Sequence, residues 1–249
     1  MAQPNLNPVT LTPPALLREP ATNGGAAGDP AFWWSVQGDW VEAPNQRRGG
    51  YSGVQRVCLP SGECFYVKRQ RNHLFRSARY PGGRPTLLRE WRSMQLCARI
   101  GVPTAVPVFF EMQRCPEGWD SILVTRDLRG YVSLDKGFAP GVWDQAQRAT
   151  ALRAVAKTLL ILHRARRKHG HLYPKEVFVD LDRREPAVAV VDWELSRYRL
   201  TPTRAAEPDV RRMMKSLLND GLTRAELALF LDIYQQNGIE LGALTNKLF

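Results

Sequence analysis

Two halves with different periodicities predict an α+β protein: a small lobe built on a β-sheet and carrying one helix, then a mainly helical lobe. Three observations carry this reading. Short β-branched and aromatic runs, separated by turn residues, occupy Trp33 to Val124. Apolar residues at helical spacing dominate from Trp143 onward. The polar motifs fall at the junction of the strand-rich and helix-rich parts, so a cleft between two lobes is the expected place for a site.

The elements follow in order. Residues 1–30, rich in Pro, Asn, Gly and Ala, read as a disordered arm; residues 31–126 form the first lobe and 127–249 the second. Strands are expected over Asp39–Glu42, Tyr51–Leu59 and Cys64–Lys68, the last two joined by the turn residues Pro60-Ser61-Gly62-Glu63. The first helix runs from Arg84 to Ile100, with Leu87, Leu88, Trp91 and Met94 on its apolar side, and is closed by Gly101 with Pro103 beyond. Pro107–Phe110 and Ser121–Val124 read as another strand pair. A long buried helix spans Trp143 to Lys168, and its terminal Arg164, Arg166, Arg167 and Lys168 would offset the helix dipole. Val177–Val179 and Val188–Val191 are short strands. Arg211–Leu218 is helical, and Thr223 with Glu226 forms a capping box that opens a last helix through Tyr234.

Composition narrows the classes. The chain has 249 residues, 44% of them hydrophobic and 24% charged, as in ordinary globular proteins. The proline-broken start, from Met1 to Ala27, has no basic n-region and cannot form a signal-peptide core. No apolar run approaches the roughly 18 residues of a bilayer span. Cys58, Cys64, Cys97 and Cys115 show no paired or zinc-like spacing, so reduced thiols in a cytoplasmic protein are expected. Net charge is +11, which attracts anions such as nucleotide phosphates, nucleic acid or an acidic membrane face. No nucleic-acid motif accompanies that charge, so no specific nucleic-acid partner is expected.

Five elements suit the binding and movement of a phosphoryl group. Arg47-Arg48-Gly49-Gly50-Tyr51-Ser52-Gly53-Val54 is a glycine-rich turn between strands. Its Gly49, Gly50, Ser52 and Gly53 would let backbone amides approach phosphates, although the same residues also make an ordinary hairpin. Lys68 ends the next strand, within reach of phosphate oxygens. Glu90, in the first helix, would pair with Lys68 and hold it. The loop His169-Gly170-His171 follows the long helix and leads to Glu176. Asp192 ends the next apolar strand, where its carboxylate suits Mg²⁺ or, alternatively, a helix cap. Two other readings stand beside these: His163, His169 and His171 as a transition-metal set, and Trp33, Trp34, Trp40 and Trp91 as core or as sugar-stacking platforms.

On these residues the chain resembles the lipopolysaccharide kinase family of Kdo and heptose kinases (Kdo/WaaP-type), and within it the InaA-type proteins. The matching pieces are the glycine-rich turn, Val67-Lys68, Leu88-Arg89-Glu90-Trp91, Leu123-Val124-Thr125, Leu162-His163, His169 to Lys175 with Val177–Val179, and Val191-Asp192-Trp193-Glu194. The resemblance implies a protein-kinase-like fold, ATP and Mg²⁺ as cofactors, and an acceptor on the lipopolysaccharide inner core at the cytoplasmic face of a Gram-negative inner membrane. It also implies catalytic roles for Lys68, His171 and Asp192, nucleotide contacts from Gly49, Gly50, Ser52, Gly53, Lys68 and Glu90, and a metal held by Asp192 and Glu176. Family kinases carry Asp where this chain has His171, and Glu176 replaces the usual Asn. A histidine there can still receive a hydrogen bond or a proton near neutral pH. A pseudokinase scaffold is the alternative that these two departures favour.

Overall fold

A computed structural model describes residues 29–41, 44–47 and 50–248. Most of the expected arm, with Glu42, Arg48 and Gly49, lies outside the described residues. The chain divides into two compact units. The first contains the residues up to Trp91 together with Val106–Asp127; the second contains Arg92–Ala105 and Leu128 onward.

The first unit opens with helix α1 (Pro30–Ser35), where β-structure was expected to begin. Asp29 caps it by accepting the Ala31 amide, and Pro30 supplies a preset φ at its first turn. Strands β1 (Asp39–Trp40), β2 (Asn45–Arg47), β3 (Gly50–Cys58), β4 (Cys64–Arg71), β5 (Leu74–Ser77) and β6 (Tyr80–Pro85) follow, then helix α2 (Thr86–Ile100), which belongs to this unit only up to Trp91, and strands β7 (Pro107–Cys115) and β8 (Gly118–Arg126). The main sheet is antiparallel, in the order β1-β3-β4-β8-β7, with β2 also paired to β3. Strand alternation sends Phe65 and Val67 into a core with Trp33, Val57, Ile122 and Val124. The opposite face meets α2, where Trp91 stacks on Phe110 at 5.3 Å. Trp33 and Trp91 are therefore core residues, whereas Trp40 is half exposed.

The β3–β4 turn contains Gly62 at φ +86°, a conformation that needs no Cβ. It sets Cys58 directly opposite Cys64, and the two form a disulfide. This corrects the expectation of four reduced thiols. Cysteine spacing says nothing about cross-strand register, and here the register brings the two Cα atoms to 4.0 Å. Cys97 and Cys115 are free.

Helix α2 starts two residues later than expected, because Arg84 and Pro85 belong to the β5–β6 hairpin. Its end is as read: Gly101 takes φ +78° and the Val102 amide reaches back to the Cys97 carbonyl at 2.9 Å. Its start is held by a buried network. The Thr86 hydroxyl donates to Gln70 Oε1 at 2.8 Å, and His73 Nδ1 lies 2.8 Å from the same hydroxyl.

The second unit continues through β9 (Val132–Ser133), α3 (Leu134–Phe138), α4 (Gln145–Arg164), β10 (Arg167–Lys168), β11 (Val177–Asp180), β12 (Ala187–Val190), β13 (Arg197–Tyr198), α5 (Pro202–Asn219), α6 (Arg224–Gln236) and α7 (Ala243–Leu248). Helix α4 is shorter than expected. Asp144 and Gln147 form a capping box at its start, and it stops at Arg164. Arg166 then adopts φ +55°, and Arg167–Lys168 pair with Arg197–Tyr198 as strand β10 on β13. Only Arg164 of the four basic residues thus lies in the last turn of the helix.

Helix α5 is much longer than expected, since it begins at Pro202 behind the cap Thr201 and accommodates Pro208 in its interior. Its buried side carries Ala205, Ala206, Asp209, Val210, Met213 and Leu217. Helix α6 has the predicted capping box at Thr223 and Glu226. Strands β12, β11 and β9 make a small antiparallel sheet, and residue Thr104 bridges Val190 beside it.

Candidate functional site

In the first unit, Lys68 sits on β4 between inward-facing neighbours, so its side chain emerges on the face that α2 covers. Glu90 lies beside Trp91 on that helix, and its carboxylate accepts from Lys68 Nζ at 2.8 Å. Both side chains are largely withdrawn from solvent, 19% exposed for Lys68 and 8% for Glu90. A pair so enclosed places the ammonium with far less freedom than an exposed one.

The glycines of β3 play a more structural part than expected. A Cβ at Gly50 would come within 2.9 Å of the Asn72 carbonyl oxygen, and one at Gly53 within 2.6 Å of the Trp40 ring. Both positions therefore need glycine for packing against neighbouring chain. The half-buried Ser52 accepts from Gln70 Nε2 at 3.3 Å. Gly49 lies outside the described residues.

In the second unit the loop after β10 is anchored from below. Fully buried Asp209, on α5, accepts the backbone amide of His169 and that of Gly170, the latter at 2.9 Å. His163 Nε2 donates to the same carboxylate at 3.4 Å, which leaves Nδ1 to accept from the Tyr234 hydroxyl at 2.8 Å. Burial alone would raise the Asp209 carboxyl. The His163 hydrogen bond, the neighbouring His163 and His169 rings and the Gly170 amide outweigh it and hold Asp209 below the usual carboxylate range.

Gly170 takes φ +93°, and a Cβ there would meet the Leu195 carbonyl oxygen at 2.4 Å. Arg212 closes the arrangement by donating to the Gly170 carbonyl at 2.9 Å. His169 is fully enclosed against the Trp193 ring and donates through Nε2 to the Val191 carbonyl at 2.8 Å. Burial pulls its pKa down, against the opposing pull of Asp209. His163 and His169 are thus committed to these contacts, and the transition-metal set His163, His169 and His171 does not form.

The loop delivers His171 to Asp192. Asp192 adopts the left-handed conformation, φ +65° and ψ +59°, uncommon for a residue with a Cβ and concentrated at functional sites. Its side chain makes no cap hydrogen bond to the short 3-10 turn Trp193–Leu195 that follows, so the helix-cap alternative fails. His171 Nδ1 lies 3.2 Å from Asp192 Oδ2. Glu176 ends the 3-10 turn Pro174–Glu176, and its carbonyl accepts the Val191 amide at 3.0 Å, which draws the two acidic residues together. One ligand atom from each of His171, Glu176 and Asp192 lies within 4.8 Å of the other two.

The structure thus pairs Lys68 with Glu90 in one unit and gathers His171, Glu176 and Asp192 in the other. Sequence reading did not find Asp209, Arg212, His163 or Tyr234 as supports of the loop. The one available signal was an acid directly after Pro208 in a basic segment, which by itself points nowhere.

An enclosed Lys–Glu pair on a sheet and its helix, with an anchored polar loop leading to a left-handed Asp, defines the protein-kinase-like class. Residues 31–234 match the model of the lipopolysaccharide kinase (Kdo/WaaP) family, and the chain belongs to that family. It is 38% identical over 188 residues to Protein InaA of Escherichia coli (strain K12), covering 74% of this chain and 86% of that protein. Among solved structures it is similar to WaaP in complex with acyl carrier protein, with a TM-score of 0.63 and 22% identity over 84% of this chain and 83% of the other. That likeness shows the protein-kinase-like fold. Family membership supports a lipopolysaccharide kinase-like function and suggests the use of a nucleotide. Among the described residues, no helix is long and apolar enough to cross a membrane.

Proposed function

We propose that the protein is an ATP·Mg-dependent phosphotransferase acting on a sugar hydroxyl of the lipopolysaccharide inner core, at the cytoplasmic face of the inner membrane. The enclosed Lys68–Glu90 pair is the observation that carries this reading, because a lysine so held is a fixed cation for phosphate oxygens. In this reading Gly50, Ser52 and Gly53 of β3 flank the nucleotide. Asp192 and Glu176 would hold Mg²⁺, which would supply charge neutralisation to a phosphoryl group. His171 meets the incoming hydroxyl and orients it; the loose transition state of phosphoryl transfer asks more for orientation than for a strong base. The +11 net charge suits an anionic acceptor and peripheral contact with an anionic membrane surface.

The alternative is a pseudokinase scaffold that binds nucleotide or an envelope partner without efficient transfer, and the observation that favours it is the presence of His171 and Glu176 in place of the family's usual residues. Thermal shift with ATP, with and without Mg²⁺, tests nucleotide use. Stabilisation that needs Mg²⁺ and disappears in Lys68→Ala and Asp192→Ala is expected. No shift at millimolar ATP would sink both the kinase reading and the nucleotide-binding form of the scaffold. Transfer to purified core oligosaccharide then separates the two.

A further inference from the structure

The loop presents an imidazole, not only carboxylates, to the expected position of the metal. His171 Nδ1 is shielded from solvent and makes no hydrogen bond, although Asp192 Oδ2 is 3.2 Å away. The contact has the distance of an ion pair but not the alignment of a donated N–H. The remainder of the ring is open enough to leave the side chain 38% exposed. A buried, unaligned nitrogen next to two carboxylates is the arrangement expected of a ligand lone pair aimed at a shared cation.

The spacing agrees. Two ligands at right angles on an ion with bonds of about 2.1 Å stand about 3 Å apart, and opposed ligands about 4.2 Å. His171 to Asp192 at 3.2 Å fits the first, and the three ligand atoms all lie within 4.8 Å of one another, close enough to share one ion. The backbone already fixes all three positions. Asp209 and Arg212 anchor the His171 loop, the Val191 amide ties Glu176, and the left-handed conformation aims Asp192. Lys175 Nζ lies 3.6 Å from Glu176 Oε1 and offsets part of the negative charge, leaving room for one divalent ion.

We propose that His171, Glu176 and Asp192 form a nitrogen-and-oxygen cation site that takes a first-row transition-metal dication in preference to Mg²⁺ and does so before any nucleotide arrives. Mg²⁺ is a hard ion that favours oxygen and keeps its waters, whereas imidazole is a good ligand for the transition series. His171 is then a metal ligand through Nδ1. Its Nε2–H is left to orient the acceptor by donating a hydrogen bond, not to take a proton. The inference rests on the kinase reading for the use of the ion, but not for its binding.

Mn²⁺ is the probe. It binds most weakly in the divalent series from Mn²⁺ to Zn²⁺, so a positive result with it is conservative. Free and bound Mn²⁺ are measured by electron paramagnetic resonance on the full chain without nucleotide, with Mg²⁺ as competitor, and spin-echo modulation reports any directly bonded nitrogen. The expected result is one saturable Mn²⁺ with a nitrogen ligand, displaced only by Mg²⁺ in at least about tenfold excess. His171→Ala loses the nitrogen signal and weakens Mn²⁺ by about tenfold or more, whereas His171→Asp binds Mn²⁺ but lets Mg²⁺ compete near parity.

Absence of a saturable ion, absence of nitrogen coupling in the wild type, or Mg²⁺ parity in the wild type would each overturn the proposal and leave an ion pair only. The nitrogen coupling is read on the wild-type protein, so the test survives a variant that fails to fold. Binding of a fluorescent ATP analogue, followed separately, distinguishes the two levels. Nitrogen-bound Mn²⁺ without nucleotide binding would overturn the kinase reading alone, and nucleotide binding without it would overturn this site alone.

Discussion

Asp209→Asn is the most informative single change away from the proposed ligands. The carboxylate is fully buried and accepts two backbone amides and one imidazole N–H. Hydrogen bonds to a charged group contribute about 1.5–3 kcal/mol each. Asparagine keeps the volume and one acceptor oxygen, but its NH₂ must face a donor that the second oxygen now satisfies. One charge-assisted bond is lost and one amide is left without a partner. Relief from burying a charge offsets part of this, so the net cost is about 2–3 kcal/mol. In a protein of this size each kcal/mol moves the melting temperature by about 2–4 °C, so a fall of about 4–12 °C is expected. Urea unfolding followed by far-UV circular dichroism measures the free energy, and calorimetry the temperature. Single changes at His163 and the double change with Asp209 close a cycle, and a coupling of at least about 0.5 kcal/mol is expected between them. A loss below about 0.5 kcal/mol for Asp209→Asn, with no coupling to His163, would refute the view that this carboxylate holds the loop.

Three further outcomes follow from the same structure. Gly170→Ala should destabilise by about 1–3 kcal/mol, since it combines a left-handed φ with a Cβ 2.4 Å from the Leu195 carbonyl oxygen; a melting temperature within 1–2 °C of wild type would contradict that geometry. Replacing Cys58 and Cys64 with Ser should cost about 2 kcal/mol, the chain-entropy value for a loop of this length. The pair's oxidation state in freshly trapped cells also bears on location, because a stable disulfide belongs to oxidising surroundings, whereas a cytoplasmic protein should yield the two thiols. Burial pushes the Cys97 thiol up to about 12, so it stays protonated and slow toward alkylation at pH 8–9; equal rates for Cys97 and Cys115 in the native protein would show that the first is not enclosed.

The division into a sheet-based and a helical part was legible because its signals are local. Alternation in β4, the Gly101–Pro103 stop of α2 and the capping box at Thr223 are each written within a few neighbouring residues. The Lys68–Glu90 contact was legible too, from the order of a lysine strand followed by a helix with an acid, although β4 runs past Lys68 to Arg71. Two kinds of feature were not. Arg166–Lys168 continue a helical pattern in composition, yet they leave the helix to pair with a strand about thirty residues ahead, a long-range gain that local propensity does not register. Pro208 reads as a helix breaker, so local signals start this helix only at Arg211 and exclude Asp209, whereas α5 carries the proline in its interior. The support of the His171 loop went unseen for the same reason: its partners lie 39 to 42 residues away and meet only through packing.

The thread from Tyr234 through His163 and Asp209 to the amide of Gly170 means that this loop inherits its rigidity from helices far along the chain. A short polar loop would ordinarily let its amides trade hydrogen for deuterium within seconds. Here the Gly170 amide is pinned to a carboxylate at the centre of a helical core, so its exchange clock should run at the pace of core opening. The loop would then open to solvent only when the helices that lie behind it open.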